Sequence, residues 1–60
     1  MIYTKDFLIA AFLDRYIETL EIDKLLDLEE SANRLYDEVG KDRFRTYTSL
    51  DAKRLREYNG

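Results

Sequence analysis

The chain has 60 residues and a net charge of −3, with 45% apolar and 38% charged side chains and no His, Cys, Trp or Pro. That composition excludes a disulfide, a zinc site of the usual kind and every catalytic device built on an imidazole or a thiol. One domain spanning residues 1–60 is the most this length allows, and so short a chain buries only about 60% of its unfolded surface.

Without a disulfide or zinc, oligomerisation or docking on a larger partner is the remaining source of added stability, and one of them is expected. The aromatic content of 13% argues against disorder, since disordered chains are poor in aromatics. The longest apolar run, Phe7 to Leu13, falls far short of the roughly 20 residues a membrane span needs. No basic start with a small-residue cleavage site is visible, so a soluble cytoplasmic protein with no membrane association is expected.

In chain order, residues 1–4 have extended character, and Thr4 is placed to cap a helix whose first turn holds Asp6. The spacing predicts a first helix over 5–20, with Ile9, Phe12 or Leu13, Tyr16 and Leu20 on one face. Phe7, Leu8, Ala10, Ala11 and Ile17 widen that face, as expected of a central or sandwiched helix. After a joint at Glu21 and Ile22, Asp23 is placed to cap a second helix over 24–39. There Leu25, Leu28, Ala32, Leu35 and Val39 recur at steps of 3 and 4, a heptad seam. Gly40 is the C-cap, and the short joint predicts an antiparallel hairpin.

Over 43–48, Phe44, Thr46 and Thr48 alternate with Arg43, Arg45 and Tyr47, a strand-like pattern. A loop or short extended segment is the preferred reading and a helical turn the competitor. Ser49 then caps a short last helix over 50–58. The fold class is therefore all-α: a small three-helix domain, a helical hairpin plus a short C-terminal helix, with an extended segment at 43–48.

Charge is unevenly distributed. Residues 1–40 hold four bases and ten acids, whereas residues 41–60 hold six bases and three acids. An acidic body paired with its own basic tail is the commoner use of such asymmetry, and a bipolar surface that binds a charged partner is the alternative.

Chemistry has little to work with. Asp23, Asp27 and Glu30 share a helix face, as do Asp14 and Glu18, but a solvated acidic face explains them without a metal. Gly40 and Gly60 make no phosphate loop, and Ser31 and Ser49 have no recognisable base, so neither enzyme activity nor a cofactor is expected.

Arg34-Leu35-Tyr36-Asp37-Glu38-Val39-Gly40 resembles the end of the second helix in MerR-type regulators. Phe44-Arg45-Thr46-Tyr47 with Asp51, Arg54 and Leu55 resembles the segment after that family's wing. The resemblance implies DNA binding. Only Lys41-Asp42-Arg43 separates the two pieces, shorter than the family's wing.

The expected function is contact rather than catalysis: a small protein-binding module, an inhibitor or an antitoxin-like or phage-type regulator that occludes a partner protein. The expected anchors are Phe12, Tyr16, Tyr36, Phe44, Tyr47 and Tyr58, where exposed, with a charged rim for steering. The dense acids of residues 1–40 also suit a basic groove on a partner. The alternative is a small dimeric DNA-binding transcriptional regulator that uses Arg43, Arg45, Lys53, Arg54 and Arg56 of the basic C-terminal third.

Overall fold

The computed structural model describes residues 3–59, with side-chain surroundings through residue 57. The protein is all-α, and the described residues form four helices and no strand: α1 (Lys5–Asp14), α2 (Ile22–Val39), α3 (Lys41–Tyr47) and α4 (Ala52–Asn59). The expected third helix is thus the fourth, because the segment before it is itself helical.

The first helix begins where its sequence predicts. The Thr4 hydroxyl accepts a hydrogen bond from the Phe7 amide at 3.1 Å, and Asp6 occupies the positive end of the dipole. It stops at Asp14, six residues before the expected end. There the amides of Arg15 and Tyr16 bond to the carbonyls three residues back, tightening the chain into a turn. The Thr19 hydroxyl donates to the Tyr16 carbonyl at 3.3 Å, a local bond that competes with helix continuation. Arg15 is held across the fold, its guanidinium donating to the Thr48 carbonyl at 2.6 Å.

The second helix starts at Ile22 behind Glu21, whose side chain makes no capping bond. Asp23 therefore lies in the first turn rather than at the cap, where its carboxylate accepts from the Lys24 amide at 3.0 Å. The expected seam faces the core: Ala32 is buried, and Leu25, Leu28, Leu35 and Val39 are half-buried along the same side. Lys5, the first residue of α1, pairs at 2.9 Å with Asp37 near the end of α2, so the two helices run antiparallel.

Gly40 ends α2 and starts α3 in a single residue. Its φ of 86° and ψ of 170° fall in a region open essentially to glycine alone. Its amide donates to the Tyr36 carbonyl at 2.8 Å and its carbonyl accepts from the Phe44 amide at 2.9 Å. The extended reading of 43–48 is thereby corrected. Residues 41–47 are helical, and the hydroxyls of Thr46 and Thr48 donate to the carbonyls of Asp42 and Phe44, four residues back. An isolated strand would leave its backbone groups unpaired, whereas a helix satisfies them within the segment and carries Phe44 inward. No room is left for a wing, because α2 passes straight into α3.

Ser49 is not the cap of the last helix. It adopts a φ of 60° at the position after the C-cap of α3. The Ser49 amide bonds the Thr46 carbonyl and the Leu50 amide bonds the Arg45 carbonyl, the pair of bonds that defines a Schellman motif. Asp51 is the cap instead, its carboxylate accepting from the Arg54 amide at 2.8 Å.

The core gathers Leu8, Ile9 and Ala11 of α1, Ala32 of α2, Phe44 of α3, Leu50, and Leu55 of α4. Phe12 meets Phe44 edge-on at 6.1 Å, and Tyr36 meets the same ring at 5.4 Å. The first helix packs against both α2 and α4, which accounts for its broad apolar surface.

Candidate functional site

Of the aromatic residues expected as anchors where exposed, Phe44 belongs to the core and Phe12 and Tyr36 pack against it. Phe44 is 0% exposed and sits at the centre of the core, so it is unable to touch a partner in the folded state. Phe12 and Tyr16 are half-buried and pack edge-on at 5.4 Å. Tyr36 is half-buried between the Phe44 ring and the Lys5 ammonium, which stands 5.6 Å from its centroid. Tyr47, at 61% exposure, does face solvent. The Tyr58 side chain lies outside the described residues.

The basic residues divide in a similar way. Arg43, Lys53, Arg54 and Arg56 are exposed. Arg45 is half-buried with its guanidinium over the Tyr3 ring at 5.4 Å, and its Nε is buried without a hydrogen-bond partner, so this side chain is committed to the fold. The expected pairing of an acidic body with its basic tail is not made by any ion pair among the described residues. Among the described residues the ion pairs are Lys5–Asp37 and Arg34–Glu30, both within residues 1–40. The two halves meet where Asp14 and Arg15 line a cavity with Arg54 and Glu57. On α4, Glu57 lies one turn from both Lys53 and Arg54 and interrupts the positive face.

A groove between α1 and α2 collects the features of a docking surface. On the α1 side Asp6, Ala10 and Leu13 follow at one-turn steps, and Ile17 in the turn after the helix continues the line. Ile9 contributes to the floor. On the α2 side stand Glu29 and Asn33, whose side-chain amide donates to the Glu29 carbonyl at 2.9 Å. Leu26 and Ile22 extend that wall, since they precede Glu29 by one and two turns on the same side of the helix.

These aliphatic residues are unusually open: Ile17 is 59%, Ile22 78% and Leu26 61% exposed. Asp6, Asp14 and Glu29 rim the groove, and no Lys or Arg lines it. At the end marked by Asp6 and Asn33, the Lys5–Asp37 pair crosses between the helices. The groove is thus polar at one end and apolar at the other.

The residues on this surface escaped the sequence reading. The signal present was a second line on α2, with Ile22, Leu26, Glu29 and Asn33 at steps of 4, 3 and 4 beside the core-facing seam. Its two polar members hid it. Among the described residues no three carboxylates are placed to share a metal ion, and none of the helices is long and apolar enough to cross a membrane. No protein-family description matches the chain, and neither does any curated protein or solved structure.

Proposed function

We propose that the chain is a small non-catalytic protein-binding module that acts by occluding a surface of its partner, as an inhibitor or regulator does. The observation that carries this reading is the exposed aliphatic set of Ile17, which lines the α1–α2 groove, with Ile22 and Leu26 on the same side of α2 as its wall residues Glu29 and Asn33. Single exposed apolar residues are ordinary, whereas several along one groove favour burial against another surface. The anchors are therefore these aliphatic residues, with Tyr47 as a separate exposed aromatic, in place of the half-buried ring cluster.

Affinity capture from a lysate of the cells that encode the chain, with and without nuclease, tests the reading. The expected result is a stoichiometric protein that survives nuclease and is lost with Leu26→Glu. Loss of all captured material on nuclease treatment overturns it.

One observation favours a second reading, DNA binding through the C-terminal third. Arg43, Lys53, Arg54 and Arg56 are exposed and make no ion pair among the described residues, as phosphate contacts require. Glu57 within that face and the inward commitment of Arg45 weigh against it.

A further inference from the structure

Resting on the protein-binding reading, the geometry points to one class of partner. We infer that the α1–α2 groove receives an amphipathic α-helix of another protein, whose apolar stripe is bordered by Lys or Arg. The two walls of the groove show the spacing a third helix needs. Asp6, Ala10, Leu13 and Ile17 line one side and Glu29 and Asn33 the other, and helix periodicity sets Leu26 and Ile22 in line before Glu29, so that each row repeats at steps of 4, 3 and 4. Within α1 the line from Asp6 to Leu13 extends about 10 Å, two helical turns, and Ile17 in the turn after the helix lengthens it. Helix-in-groove recognition uses such a surface, with anchors at one-turn intervals entering an apolar trough. Ile9 and Leu13 supply the trough, and the small side chain of Ala10 leaves room for close approach.

Charge selects the occupant. Asp6, Asp14 and Glu29 border the trough and no Lys or Arg lines it, although Arg15 and Arg54 stand on the far side of Asp14, so a helix with basic borders gains attraction on approach, most of all beside Asp6 and Glu29. Phosphate-bearing partners, nucleic acid or lipid, are repelled from this face by the same carboxylates. A second copy fits poorly. A two-fold pairing of this face sets identical acidic rims toward each other. Head-to-tail binding of α4 fails for another reason. Its bases are flanked by Leu55, which is already fully buried in the core of its own chain, so among the described side chains of α4 no large apolar one is left to insert.

The test uses a synthetic helical peptide of about 14 residues, long enough to fill the groove. Leu occupies one face and Lys both borders. One control replaces every Lys by Glu, and another scrambles the order so that no apolar face forms. Each is titrated into the isotope-labelled full chain and followed by NMR and fluorescence anisotropy. The Lys peptide is expected to bind, to shift the resonances of Ala10, Leu13, Ile17, Leu26 and Glu29, and to weaken as salt rises. Neither control is expected to bind comparably.

Reversing the rim with Asp14→Lys and Glu29→Lys, both at exposed positions, is expected to lower affinity for the Lys peptide about tenfold or more and to turn preference toward the Glu peptide. Equal binding of the Lys and Glu peptides, shifts confined to α3 and α4, or self-association through the groove in sedimentation would overturn the assignment. If the Lys peptide fails while a nuclease-resistant partner is still lost with Leu26→Glu, the basic-helix occupant falls and the protein-binding reading stands. Failure of both removes both.

Discussion

The rings of Tyr36 and Phe44 meet at 5.4 Å across Gly40, tilted by 59°. Tyr36 lies in the last turn of α2 and Phe44 is the buried side chain of α3, so this contact closes the sharp bend between the two helices. Phe12 approaches the same Phe44 ring from α1. Three helices therefore converge on one side chain.

Phe44→Ala is accordingly expected to abolish cooperative folding. Truncating a buried Phe costs about 3–5 kcal/mol, comparable with the whole stability of so small a domain. Circular dichroism during thermal and urea unfolding reads this directly. A sharp transition within a few degrees of the parent would show that Phe44 is not the keystone of the core.

Gly40 offers a test of backbone strain separated from packing. A Cβ added there meets nothing within 4 Å, so any cost of Gly40→Ala arises from the φ of 86° alone. A loss of about 1–3 kcal/mol is expected. In a chemically synthesised chain, D-alanine at the same position suits the positive φ and is expected to preserve stability. Equal effects of the two enantiomers would contradict the assigned geometry.

The turn before α4 separates two assignments by sign. Ser49 holds a left-handed conformation, so Ser49→Gly is expected to stabilise by about 0.5–1 kcal/mol. Asp51 caps α4, so Asp51→Ala is expected to cost about 1 kcal/mol. Urea midpoints of the two variants decide the point. Destabilisation by Ser49→Gly with no effect of Asp51→Ala would return the cap to Ser49.

Leu26→Glu is predicted to leave stability nearly unchanged, because 61% of the residue already faces solvent. Surface changes away from caps and buried contacts usually stay within about 0.5 kcal/mol. The same variant is expected to lose the partner. If it unfolds instead, Leu26 belongs to the fold and not to a docking wall.

Arg54→Glu combined with Arg56→Glu addresses the basic surface. Both residues are exposed, so the fold is expected to persist. Occlusion of a protein through the α1–α2 groove is expected to survive the change. An electrophoretic shift of duplex DNA by the intact chain, steeply salt-dependent and abolished by the double reversal, would instead establish the DNA-binding reading.

The features legible in the sequence were those decided within a turn or two of chain. Thr4 caps α1 because its hydroxyl lies three residues from the amide it serves. The core side of α2 follows from a period that any helix imposes on Leu25, Leu28, Ala32, Leu35 and Val39. Gly40 stops that helix because a positive φ costs glycine little. Helical class, the hairpin and the absence of His and Cys chemistry were thus determined by the residues themselves.

Tertiary structure decided the rest. The alternation over 43–48 read as extended because Phe44 has no sequence neighbour that reveals its burial; Phe12 and Tyr36, eight or more residues away, create that burial. Arg15 leaves the helical line where it reaches Thr48, a partner 33 residues on. Whether an aromatic or aliphatic side chain is core or surface depends on which elements cover it, and local pattern carries no record of that. The Phe12, Tyr36 and Phe44 rings packed together, Ile17, Ile22 and Leu26 were left uncovered, and the candidate site came to lie between two helices whose exposed sides only packing could define.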